Sequence, residues 1–193
     1  MNKRIAWAAA VAILGLSAAL LASDWTMERE IKTDIVIDAP AETVWAHLVD
    51  LPRYEQWNPF IRSASGTIAL NETITVTPDM GDGWVYQVKD MTFHPTIREF
   101  EPGRRFAWTG NHIHMAVFSD KHVFELQPLP DGRTRFVHNQ HFFGLAGALV
   151  AAISGEDVRA GFSRMNHALK SRAEARDHHS LHQQPGEGHN DQY

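Results

Sequence analysis

The chain contains no cysteine. Disulfide cross-links, a thiol nucleophile and thiolate metal sites are thereby excluded together, and stability must come from the core. Local catalytic signatures are missing as well. There is no G-x-S-x-G nucleophile elbow and no His-Glu-x-x-His segment, and the G-D-G around Gly81 lacks the strand-loop-helix spacing of a phosphate loop and reads as a turn. Positive charge is in short supply too. Eighteen Lys and Arg stand against 23 Asp and Glu, a formal net charge of -5, which disfavours a nucleic-acid partner. No internal repeat is present, and no cofactor or metal centre is expected.

What is present begins with Lys3-Arg4 and an unbroken apolar run from Ile5 to Ala22. About 18 residues would make a helix of roughly 27 Å, at the boundary between a long signal peptide and a short membrane span. Ser17-Ala18-Ala19 permits cleavage after Ala19, while the absence of a polar break before Asp24 keeps an uncleaved anchor in competition. A buried helix is a third reading, disfavoured because the run has no charged face. Basic residues precede the run and Asp24, Glu28 and Glu30 follow it, which directs the remainder outward. In a bacterium the domain is then periplasmic, or inner-membrane-anchored and facing the periplasm. The expected organisation is 1–24 as signal peptide or transmembrane anchor, 25–175 as one domain, and 176–193 as a disordered tail. His178, His179, His182 and His189 in that tail give at most incidental metal affinity.

Within the domain, Ile31, Thr33, Ile35 and Ile37 alternate as a strand, and Asp38 is placed to cap a helix opened by Ala39-Pro40. Val44, Trp45, Leu48 and Val49 form its apolar stripe, and Pro52 ends it before a turn with Tyr54 and Trp57. Strands follow near 62–78, with Gly66 as a bend and Asn71-Glu72 as a tight connection. Further strands are predicted at 85–93, 96–100, 105–111, 117–126 and 134–143, with Pro95 marking a bulge or break. After Gly144 a long amphipathic helix runs to about Ala175. Leu145, Leu149, Val150 and Ile153 form its apolar first part, Gly155 is a candidate kink, and Val158, Phe162, Met165 and Leu169 continue the stripe.

The segments A-P-A-E-T-V-W from Ala39 and L-P-R-Y-E-Q-W-N-P-F-I from Leu51 carry a resemblance. So do P-G-R-R-F-A-W-T-G from Pro102, H-V-F-E-L-Q-P-L-P from His122 and T-R-F-V-H-N-Q-H-F-F-G from Thr134. Together they resemble the helix-grip superfamily of START lipid-transfer domains, birch-pollen allergens and polyketide cyclase or dehydrase-like proteins, over roughly Thr33 to Glu174. The resemblance implies an α+β helix-grip fold, with about seven antiparallel strands in a curved sheet wrapped around a long C-terminal helix and two short helices after the first strand. It implies little about chemistry, because members bind, transport or cyclise. In the resembling cyclase-like proteins an acid often stands where this chain has Gln140.

A sheet curved around a helix can leave a hollow, and alternation selects its lining. The candidate ligand-binding residues are Trp84, Tyr86, Trp108, His112, His122, Phe124, Phe136, His138, Gln140 and Phe142. Aromatic rings would supply apolar walls, and the histidines or Gln140 would orient a carbonyl or hydroxyl. Ordinary core packing, with each histidine bonded to a neighbouring carbonyl or helix end, is the competing reading. The expected function is binding or transport of a small hydrophobic molecule, lipid or polyketide-like. Two alternatives stay open: a cyclase, dehydratase or isomerase using cavity histidines, and a non-catalytic accessory protein with a filled interior. The first requires a histidine facing an acid such as Asp90, Asp120 or Glu125. Catalytic residues and oligomeric state are not legible.

Overall fold

The computed structural model describes residues 28–79, 91–111 and 118–180. The alternation of Ile31 to Ile37 produces β1 (Arg29–Ile37), an edge strand that pairs antiparallel with β7 (Thr134–Phe143) in a register matching Ile31 to Gln140 and Thr33 to His138. Strand β7 pairs with β6 (Ser119–Pro128), β6 with β5 (Arg105–Asn111), and β5 with β4 (Thr96–Glu101), giving the order β1-β7-β6-β5-β4. A second sheet pairs β2 (Ile61–Ser65) with β3 (Thr75–Pro78). Isolated bridges from Thr73 to Thr96 and from Val76 to Phe93 join it to the free side of β4. Pro95 lies between those bridges, and the β4-β5 register slips between Ile97 and Glu99, so the break expected at the proline is a real bend in the sheet.

Two short helices follow β1. The first, α1 (Ala41–Val49), buries Val44 and Leu48. A single 3-10 segment (Leu51–Gln56) then buries Tyr54, whose hydroxyl donates to the Leu48 carbonyl at 2.7 Å. Asp38 does not cap α1. The N-cap is Pro40, in extended conformation and without a side-chain cap. Asp38 is held instead at the end of β1, where its backbone N-H donates to Glu174 Oε1 at 2.8 Å and its carboxylate lies 3.8 Å from both Arg133 and Lys170. Tertiary ion pairing wins over local capping at that position.

The long helix α2 (Gly144–Ser180) is continuous through Gly155 and passes the expected end at Ala175. Val158, Phe162, Met165 and Leu169 are buried in the core, as their spacing predicts, and Ala173 is buried with them. Each large member contributes about 1.5–3 kcal/mol through burial. The first turns behave differently. Leu149 and Ile153 are exposed while Val150 packs against the core, so the apolar positions read there divide between two faces. Lys170 closes the other end by donating to the Val36 carbonyl at 2.9 Å. Seven strands around one long helix, with two short helices after the first strand, constitute the helix-grip arrangement among the described residues. No described helix is long and apolar enough to cross a membrane. The run from Ile5 to Ala22 and the residues from 181 onward lie outside the described residues.

Candidate functional site

Alternation places Phe106, Trp108 and Gly110 of β5, His122, Phe124 and Leu126 of β6, and Phe136, His138, Gln140 and Phe142 of β7 on the concave face, and all are buried. The register sets His122 beside Trp108 on one side and Gln140 on the other, with Phe124 between Phe106 and His138. Facing them, α2 contributes Phe162. Its ring stacks on His138 at a centroid distance of 3.8 Å and 14° between planes, and on His122 at 5.0 Å. Phe124 stacks on both histidines, at 4.5 and 4.9 Å, and on Phe106 at 4.6 Å. Trp108 meets His122 edge-on at 4.9 Å.

Inside this aromatic column runs a chain of polar groups. His122 Nε2 lies 2.5 Å from His138 Nε2, and His138 Nδ1 lies 2.9 Å from Asn166 Oδ1. Asn166 Nδ2 donates to Thr33 Oγ1 at 3.0 Å, and Thr33 Oγ1 reaches the carbonyl of His138 at 3.5 Å. Desolvation pushes His138 down to about 3, against a smaller opposing effect of the Asn166 hydrogen bond. Desolvation, with the neighbouring His138 adding to it, also lowers His122 well below the ordinary histidine value. Both rings are therefore neutral at physiological pH. Neither is hydrogen-bonded to a carboxylate among the described residues.

One rung beyond His122 the lining changes character. Gly110 leaves the concave face without a side chain opposite Asp120, and its N-H donates to Asp120 Oδ1 at 3.2 Å. The Gln140 amide donates to the other oxygen of Asp120. The Asp120 carboxylate of β6 is thus held between the Gly110 backbone and the Gln140 side chain. Ser154 precedes Gly155 on α2, where an added Cβ would sit 3.6 Å from Ile31 Cδ1, and Ile31 pairs with Gln140. Ser154 is 1% exposed, and its Oγ has no hydrogen-bond partner among the described residues.

Residual access follows the same division. Phe106, Phe124, Phe136 and His138 have none of their surface exposed, whereas Trp108, His122, Gln140 and Phe142 retain 4–6%. Of the ten sequence-derived candidates, seven converge on this face, and Trp84, Tyr86 and His112 lie outside the described residues. The possible acid partner Glu125 belongs to the opposite face, where it pairs with Arg105 at 3.0 Å, and Asp90 lies outside the described residues. Sequence reasoning missed Thr33 and Asn166. The available signal was a polar Asn166 four residues after Phe162, inside the apolar stripe of α2. The Trp57-Asn58-Pro59-Phe60 stretch packs against the same helix. Asn58 Oδ1 accepts from the N-H groups of Phe60 and Ile61, both at 2.9 Å, and the Phe60 ring lies edge-on to Phe162 over Gly161.

A family model described as polyketide cyclase / dehydrase and lipid transport matches residues 28–174. The chain belongs to this family. Its fold is similar to that of the Zhui aromatase/cyclase from Streptomyces sp. R1128, at 17% identity and TM-score 0.58, covering 78% of this chain and 96% of the other. A START superfamily protein from Mycobacterium smegmatis is similar at 18% identity and TM-score 0.55, over 76% and 98% of the two chains. A hypothetical protein from Helicobacter pylori gives TM-score 0.61 at 13% identity, over 75% and 88%. No curated protein matches this chain. At these identities the structural likenesses establish the fold alone, and the family carries an association with hydrophobic ligands.

Proposed function

We propose that this polyketide cyclase/dehydrase and lipid-transport family member binds a small hydrophobic molecule at the Trp108-His122-Gln140 end of its concave face. The observation that carries this reading is the juxtaposition of aromatic wall and unsatisfied polarity. Trp108 and Phe142 retain access, Gly110 adds no side chain to the face they share, and Ser154 Oγ of α2 is buried without a partner. A buried polar atom left without a partner costs about 1–3 kcal/mol, which a ligand polar group could recover. An enclosed aromatic wall supplies the larger desolvation term. The histidines bond to each other and to Asn166 rather than to an acid, which favours binding over acid-base turnover.

Native mass spectrometry of detergent-free protein, followed by solvent extraction, tests this. A retained apolar molecule whose removal lowers the melting temperature is the expected result. Failure of a panel of fatty acids, sterols and aromatic polyketides to bind the stripped protein would sink it. The N-terminal pattern of basic residues followed by an apolar run adds a proposed location, with the domain exported to, or tethered at, the outer face of a membrane. Fractionation with intact-mass measurement distinguishes the two: a soluble species beginning near Leu20 or Ser23 is the exported form, and a membrane-bound full-length mass the tethered one.

A further inference from the structure

The buried chain of hydrogen bonds has a direction, and the direction assigns a chemistry to its open end. A backbone carbonyl only accepts, so the hydroxyl of Thr33 donates to the His138 carbonyl and its oxygen receives the Asn166 amide N-H. Asn166 Oδ1 is then turned toward His138 and accepts from Nδ1-H. A neutral His138 protonated on Nδ1 has a lone pair on Nε2, which must receive the N-H of His122 Nε2. His122, neutral and protonated on Nε2, is left with a lone pair on Nδ1. No other described residue is bonded to His122. This nitrogen belongs to the ring that stands at the border between the sealed aromatic column and the layer of Gly110 and Gln140.

Resting on the ligand-binding reading above, we propose that His122 Nδ1 is the hydrogen-bond acceptor for a hydroxyl group of the ligand, so that the site selects alcohols or phenols over ethers of the same shape. An ether or ketone oxygen carries only lone pairs and would face the Nδ1 lone pair without a proton between them. A hydroxyl supplies that proton and completes the chain of donors that begins at Thr33. His138, Asn166 and Thr33 are positioning residues in this scheme. They hold one tautomer of His122 without touching the ligand, which distinguishes them from the residues of the wall.

The test begins with the tautomer. In the full chain labelled with 15N-histidine, long-range proton-nitrogen correlation is expected to show His122 Nδ1 unprotonated and His138 Nδ1 protonated. A protonated His122 Nδ1 would overturn the proposal before any ligand is added. Titration with 2-naphthol and 2-methoxynaphthalene then compares a donor with its methylated counterpart. The expected result is a roughly tenfold preference for 2-naphthol, the size of one good hydrogen bond, together with a shift of the His122 Nδ1 resonance on binding. In His122→Phe, checked for folding by circular dichroism, the preference is expected to fall to near one. Equal affinity of the wild type for both probes overturns the acceptor role and leaves hydrophobic binding standing. Failure of both probes to bind also overturns the acceptor role, and the binding reading falls with it only when the fatty acids, sterols and polyketides fail as well.

Discussion

The two halves of the interior are made by the same three strands and the same helix, yet they are built on different terms. Toward Leu126 and Leu169 every ring has a ring or aliphatic neighbour, and His138 has both of its nitrogens bonded. Toward Gly110 and Ser154 small and polar residues join Trp108 and Phe142, one hydroxyl has no partner, and the side chains of Trp108, Gln140 and Phe142 retain some access. A closely packed interior gains most from shape, so the first half should respond to mutation as a core. On the binding reading, the polar atom left unpartnered in the second half is one that a ligand completes. The His122-His138 pair is where the two meet, and it transmits the tautomer chosen in the sealed half to the edge of the open one.

The comparison breaks most readily at its sealed end. Phe124→Ala removes a ring stacked on Phe106, His122 and His138, and should cost about 3–5 kcal/mol in urea unfolding. A loss below about 1 kcal/mol would mean that this half is loosely packed and that the contrast is wrong. Acid should come next. Both histidines are held below their unfolded value, so the stability they contribute is fully present above about pH 6.5 and is lost as pH falls toward the folded values, about 3 for His138. Between pH 7 and pH 5 His138 is expected to cost about 2 kcal/mol, and His122 adds a loss of the same sign. Unfolding curves at the two pH values for wild type and for a His122→Phe/His138→Leu pair check this. The double variant should lose the histidine-dependent part of the slope.

Gly110→Phe sharpens the comparison from the open side. A ring placed opposite Asp120 would add bulk to the concave face where Gly110 has none, and the expected stability change is only about 1–3 kcal/mol of either sign while binding of the extracted ligand is abolished. Unaltered binding by calorimetry would remove Gly110 from the site. The smallest effect belongs to the exposed face of α2. Leu149→Ser and Ile153→Ser should each shift stability by less than about 0.5 kcal/mol, because neither side chain is packed in the core. A larger loss by thermal melting would restore them to the apolar stripe that their spacing suggests.

Periodicity alone determined a great deal here. The bounds of β5 and β7, the bend at Pro95 and the stripe from Val158 to Leu169 all follow from spacing and turn chemistry that operate within a few residues. So did the facing of Trp108, His122, Phe124, Phe136, His138, Gln140 and Phe142, because a strand alternates whatever it packs against. Local rules failed where distant groups competed. Asp38 had the chemistry of a helix cap, but Glu174, Arg133 and Lys170 claim that point of the chain; Leu149 and Ile153 had helical spacing, but the first turns of α2 leave them exposed. The polar chain was beyond any local rule. Thr33 and Asn166 stand 133 positions apart, and only the packing of α2 across β1 and β7 brings them to His138. Sequence determined which face each histidine occupies; tertiary structure decided what each one bonds to, because a hydrogen bond is fixed by distance and direction between atoms that the chain order does not hold together.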